Sequence, residues 1–319
     1  MLFSQTTDGF WNDLDANKYS DGTGLNWYEV QQFVRAGRGA ELFPVGTTFI
    51  VDHSEYTTST GVSGIAFTVL GHDQVPAADE TLQHTMCLGM SEVLFTAQFD
   101  AAESMYAITA DEYAVSGKTY YTYANSTYTA LTEGTDWTAG DTVPLSSWYE
   151  KNWDNTGNGK NKIEESNLLQ WANSSNSANH WFTKQNIWDV CGTVLLNKNG
   201  FMKNLDSDFA NVVKEAKLIT ARANVYGGGS FTFNAKFWPL SQKQVNNANN
   251  NGIAENEQLQ YYADGNSPIK YLGSTASTWW LRSPYVGYAY SVYCVTAAGS
   301  VTHLSASNAY GVSLACIIA

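Results

Sequence analysis

A chain of 319 residues with a formal net charge of −13 has room for one large domain or two medium ones. Its 44% apolar and 14% aromatic content supplies an ample core, while the acidity opposes contact with phosphate backbones or anionic lipid. No apolar run is long enough to cross a bilayer and no basic-then-apolar opening is present, so neither a membrane span nor a secretory signal is expected.

In chain order, the first element is a short helix from Asn26 to Ala36, where Trp27, Val30 and Val34 recur at helical spacing and Gly37 stops it. Thr47–Asp52 and Gly64–Gly71 alternate as the strands of a hairpin with its turn over residues 57–63. Residues 92–105 mix apolar and polar positions in a way compatible with a helix. Residues 116–144 look like an insertion. Thr119–Tyr123 and Thr127–Leu131 alternate around Ala124-Asn125-Ser126 as a Tyr-rich β-hairpin, and Trp137–Pro144 returns as a further strand.

Residues 163–173 spell a helix, and 204–213 a loop entering a short helical turn. Residues 215–224, Gly227-Gly228-Gly229 and Phe231–Phe233 give strand, glycine turn, strand. Residues 246–256 are polar and Asn-rich, which reads as a surface loop. Ser291–Thr296 and Ser300–Leu304 make two strands around Ala297-Ala298-Gly299, and Gly311–Ile318 a last one. With no fixed repeat and no Pro/Ser-rich hinge, one elaborated α+β domain over residues 1–319 is the economical reading, the hairpin being a decoration.

Few constellations carry chemistry. Asp154, Thr156, Asn158, Gly159 and Glu165 fall on positions of a calcium loop, but Thr156 and Asn161 depart from the pattern and Lys160 and Lys162 add positive charge. A Gly/Asn turn leading into the helix at Ile163 accounts for them without a metal. Five histidines show no metal-ligand spacing, and no nucleophile elbow or phosphate-binding glycine loop occurs. Cys87, Cys191, Cys294 and Cys316 are too far apart for a zinc ribbon or a disulfide framework. No cofactor, no metal and no catalysis are expected.

The last forty-one residues carry the most information. Trp279-Trp280-Leu281-Arg282-Ser283-Pro284 opens them, and Gly311 to Ile318 closes them. Between lies Tyr285–Tyr310, which lacks Asp, Glu, Lys, Arg, Gln, Met and Trp. Its Tyr, Ser, Gly and Asn resemble the palette of an antibody paratope, rigid amphipathic rings among adaptable hydrogen-bonding groups. Every residue in it is also compatible with a codon ending in a pyrimidine. A charge-poor β segment is the bland alternative. Arg282, the one formal charge after residue 270, needs hydrogen-bond partners if buried.

These residues resemble the variable protein of a diversity-generating retroelement, in which template adenines are miscopied and the third codon base is kept. Islands upstream look similar: Trp27-Tyr28-Glu29-Val30 with Phe43-Pro44-Val45-Gly46, Glu165–Trp171, Phe237-Trp238-Pro239-Leu240-Ser241 and Leu259–Gly265. Where the family commonly closes with Arg-Pro-Ala, Ser313-Leu314-Ala315 stands here.

The resemblance implies a C-type lectin-like fold used without calcium, with residues 279–319 as its variable, ligand-binding region. It implies a phage tail receptor-binding protein located in the virion, a homo-oligomer in that setting. Its ligand would be a macromolecule, protein or glycan, on a host or neighbouring cell, with no nucleic acid and no membrane insertion. A bacterial surface adhesin, or a relative of the formylglycine-generating enzymes, is the alternative.

The expected variable, solvent-facing positions are Tyr288, Tyr290, Ser291, Tyr293, Cys294, His303, Leu304, Ser305, Ser307, Asn308 and Tyr310. The expected frame is Trp279, Trp280, Leu281, Arg282, Val292, Val295, Gly299, Val301, Val312, Leu314 and Cys316.

Overall fold

A computed structural model of the protein describes residues 25–102, 106–107, 113–124, 127–143, 148–150, 158–185 and 189–319. Its helix over Trp27–Arg35 starts where Asn26 accepts from the Glu29 N–H while the Glu29 carboxylate accepts from the Asn26 N–H, a capping box that satisfies two otherwise orphaned donors. The same helix buries Trp27, Val30, Gln31 and Val34, and the Trp27 ring meets Phe49 and Phe209 at 5.3 and 4.7 Å.

That face covers an antiparallel sheet whose strands run Thr48–Val51, Ile65–His72, Met86–Met90, Ala315–Ile318 and Val213–Lys214 in spatial order. The chain's last strand is wholly buried and pairs Ile317 with Cys87 and with Lys214. Residues almost the whole chain apart therefore close one sheet.

A second five-stranded sheet is ordered Val301–Ser305, Ser291–Val295, Trp279–Pro284, Ala309–Gly311 and Thr96–Gln98. The segment compatible with a helix at 92–105 contributes this last short strand instead. The single strand expected over Gly311–Ile318 is divided. Ala309–Gly311 lies in this sheet and Ala315–Ile318 in the first, so Val312, Ser313 and Leu314 are the crossing between them. The helix expected at 163–173 is divided as well. A 3₁₀ turn over Ile163–Glu165 ends at Ser166, whose hydroxyl caps the α-helix Asn167–Ala172 by accepting from Leu169 N–H. Together with the described helices, the two sheets make an α+β protein.

The Tyr-rich insertion is built as expected at its centre, with Tyr121 to Ala124 pairing antiparallel with Ala130 to Thr127. It is wider than residues 116–144, because Trp148–Glu150 pairs with both Tyr106–Ala107 and Tyr120–Thr122 in one four-stranded sheet. Trp137 and Thr142 make isolated bridges rather than the expected returning strand. Ala114, Tyr120, Trp137 and Val143 form a small core separate from the main one. At the base of the insertion Asp100 and Gly159 touch: a Cβ added to Gly159 would stand 2.4 Å from the Asp100 carbonyl oxygen.

Candidate functional site

Trp279, Trp280, Leu281 and Arg282 are completely buried. The Trp280 indole donates to the Ala97 carbonyl at 2.9 Å and meets Phe99 and Tyr310 edge-on at 5.9 and 5.1 Å. Lys270, also buried, holds its ammonium 4.6 Å from the Trp279 ring and 2.8 Å from Ser313 Oγ.

Arg282 is surrounded by acceptors from three places. Its terminal nitrogens donate to the Ile219 and Glu255 carbonyls, each at 3.2 Å, to Asn256 Oδ1 at 2.6 Å and to Gln244 Oε1 at 2.5 Å. Burial lowers its pKa to about 10, against the raising effect of Glu255. The Glu255 carboxylate in turn accepts from Thr220 Oγ1, Ala221 N–H and Ser283 Oγ. Glu255 and Asn250 come from the loop at 246–256, which was expected at the surface and instead sends polar groups into the core. Asn250 Nδ2 reaches the Pro284 carbonyl at 2.7 Å, just where the strand Trp279–Pro284 ends.

Beyond Pro284 the chain turns through residues 285–290 before re-entering the sheet at Ser291. Asn161 lies beneath this turn. Its Nδ2 approaches the carbonyls of Tyr288, Ser291 and Tyr285 at 2.6, 2.9 and 3.2 Å, and its backbone N–H donates to the Ala289 carbonyl at 2.8 Å. The Tyr226 hydroxyl adds a bond to the Ala289 carbonyl, and Asn224 N–H one to the Val286 carbonyl.

Above that support sits a cluster of five rings. Tyr285 stacks on His303 with centroids 3.9 Å apart and planes 12° from parallel, and lies 5.4 Å from Tyr288 and 6.2 Å from Tyr293. Tyr288 stacks in turn on Tyr290 at 5.4 Å and 12°, and Tyr293 meets His303 edge-on at 5.8 Å. Tyr288 is half exposed, and the other four are partly covered. Burial, with Tyr285 and Glu255 as lesser causes, raises the pKa of Tyr293.

Of the expected variable positions, Tyr288, Tyr290, Tyr293 and His303 come together here. Tyr285, the hub of the cluster, was missing from that set, although its place at the head of the charge-free run was a usable signal. Asn308 is exposed, and Ser305 and Ser307 are half-covered. Tyr310 is also half-covered, its ring on Trp280.

Ser291 and Cys294 correct the expectation, since both are buried, and burial pushes the Cys294 thiol up to about 12. For Cys294 the reason is the strand period of two, whereas Ser291 shares the face of Tyr293 and is covered at the strand's first residue, where Asn161 and the Tyr285 N–H hold its carbonyl. Tyr293 stands opposite His303 and Cys294 opposite Thr302, so Tyr293 and Cys294 point to opposite faces. Leu304, opposite Val292, belongs to the Cys294 face and packs on the core. Listing neighbours as co-exposed required irregular loops, whereas Ser291–Val295 and Val301–Ser305 are regular strands.

Asp154 and Thr156 of the calcium-like loop lie outside the described residues. Its closing carboxylate, Glu165, is held by two ammonium groups, Lys162 at 2.5 Å and buried Lys160 at 3.5 Å. Lys160 N–H donates to Asp100 Oδ2, which ties this segment to the base of the insertion. Among the described residues no group of three or more His, Cys, Asp or Glu side chains is placed to hold a metal ion.

Residues 104–319 match a family described as Domain of unknown function (DUF6273), well over half of the chain, and the chain belongs to that family. Comparison with curated proteins and with solved structures finds no match. The matched span ends in a strand that is paired with Met86–Met90, so the residues before it supply part of the same sheet.

Proposed function

We propose that this DUF6273 protein is a non-enzymatic binding protein whose ring cluster of Tyr285, Tyr288, Tyr290, Tyr293 and His303 receives a macromolecular ligand, protein or glycan, on a host or neighbouring cell. The observation that carries the reading is this partly exposed cluster on a segment free of formal charge. Such rings offer apolar faces together with hydroxyl donors at low conformational cost. The C-type lectin-like scaffold, and residues 279–319 as the diversified region of a retroelement variable protein, complete the proposal. On that reading the protein is an oligomeric phage tail component acting in host attachment, with a bacterial surface adhesin as the alternative. The enzyme-like alternative draws no support from the cysteines: Cys294 and Cys316 lie in different sheets and both are buried.

The test is binding of the purified chain to a panel of bacterial cells, read by flow cytometry. Tyr288→Ala combined with Tyr290→Ala should abolish binding to the recognised strain while the melting curve shifts little, because neither ring packs on the main core and truncations away from the core change stability by about 0.5 kcal/mol each. Undiminished binding by that variant would refute the site. The genomic counterpart is a near-copy of the codons for Trp279–Ala319, rich in adenine, beside a reverse transcriptase gene.

A further inference from the structure

The hairpin of Ala216–Ala221 and Ser230–Ala235 has one closed edge and one open edge. Its register pairs Ala216 with Ala235 through Ala221 with Ser230, and the next pair out is bonded from Arg222 N–H to the Gly229 carbonyl at 2.9 Å. Reciprocal bonds recur at every second pair of an antiparallel ladder. The backbone groups of Phe231, Phe233 and Ala235 therefore turn inward, and those of Ser230, Thr232 and Asn234 turn outward.

On the inner strand the outward-turned groups are met. Lys217 N–H donates to the Pro76 carbonyl at 2.8 Å, Ile219 N–H to Asn256 Oδ1 at 3.0 Å and Ala221 N–H to Glu255 Oε1 at 2.8 Å. Among the described residues nothing does the same for Ser230, Thr232 or Asn234, and the hairpin pairs with no further strand.

The open strand has none of the devices that normally blunt an edge. It contains no charge, no proline and no bulge. Its side chains Ser230, Thr232 and Asn234 are exposed, while Phe231 and Phe233 are half-covered and stacked at 6.0 Å and 8°. The order Ser-Phe-Thr-Phe-Asn is close to symmetric about Thr232.

We propose that this edge pairs antiparallel with the same edge of a second copy of the chain, about a two-fold axis at Thr232, joining two hairpins into one four-stranded sheet. The symmetry of the strand selects a second copy over an unrelated peptide. Thr232 then faces Thr232, Ser230 faces Asn234 and Phe231 faces Phe233, all pairings that an antiparallel ladder favours. Each outward N–H and carbonyl finds its counterpart, as a self-complementary two-fold interface requires. With −13 on each copy, salt should strengthen the association by screening their mutual repulsion.

Sedimentation velocity over a concentration series of the full chain tests this. The wild type should dimerise, more tightly at high salt. Thr232→Lys and Thr232→Glu each place like charges across the axis and should raise the dimer dissociation constant about tenfold or more. Both variants should match the wild-type melting temperature at protein concentrations where the wild type is monomeric, since charged residues suit an exposed edge. An equimolar mixture of the two should dimerise again, as unlike charges then face each other. A wild type that stays monomeric, charged variants that dimerise as before, or a mixture that stays monomeric would each overturn the proposal. Binding of an extended peptide to a monomeric wild type would assign the edge to a different partner and overturn it too.

Discussion

Lys270 gives the most quantitative test of the core beneath the candidate site. Its ammonium is bonded to Ser313 Oγ and the Met90 carbonyl and lies over the Trp279 ring, with no carboxylate partner among the described residues. Burial lowers its pKa from 10.5 to about 7. Between those two values the unfolded chain binds the proton and the native chain does not. Stability therefore rises as pH climbs from 7 and levels off above 10.5, while below 7 both states are protonated and the slope from this group vanishes. Integrated from pH 7 to pH 9, the gain is about 2 kcal/mol.

Lys270→Met keeps the length of the side chain and removes the titration. Urea unfolding of both proteins at the two pH values isolates the effect, because buried tyrosines and cysteines that titrate at higher pH are common to both. The wild type should gain about 2 kcal/mol relative to Lys270→Met on going from pH 7 to pH 9. Parallel pH profiles would show that the native amine keeps its proton, and the reasoning from burial would fail.

Two further outcomes are expected. Trp280→Ala removes a fully buried ring packed on Phe99 and Tyr310 and should cost about 3–5 kcal/mol by denaturant unfolding; a loss below ~1 kcal/mol would contradict the assigned packing. Excising residues 104–155 and bridging the gap with a short Gly/Ser linker should leave one cooperative transition, since Asp100 and Gly159 already touch and the insertion has its own small core. Loss of cooperative unfolding would show that the insertion supports the main core.

Local signals predicted local structure well. The helix at Trp27 follows from apolar spacing ended by Gly37, and the hairpin Thr48–Val51 with Ile65–His72 from alternation around a turn. Polar residues that serve distant parts of the chain were harder. Asn250, Glu255 and Asn256 look like an ordinary surface loop until Arg282 and Pro284, about thirty residues on, are known to need them. Met86–Met90 has no alternation because both its faces are buried, so a short apolar run gave no strand period to read.

The aromatic face was half legible. Composition pointed to the segment, but which neighbours share a side depends on where each strand begins: Cys294 was placed on the wrong side, and Ser291, on the right side, is covered at the strand's start. Asn161 was weighed only as part of a calcium-like loop, and its contact with residues 285–291 spans more than a hundred positions.

The way Asn161 holds that turn has a consequence for how freely its sequence can change. All of its bonds there go to carbonyl oxygens, which every amino acid possesses, and Tyr226 and Asn224 likewise grip the main chain. The course of the turn is thus uncoupled from the side chains it displays. Tyr285, Tyr288 and Tyr290 can be exchanged without releasing any of those bonds, so a library randomised at these three positions should vary in recognition while keeping one backbone. Randomising Asn161 instead would loosen every member at once.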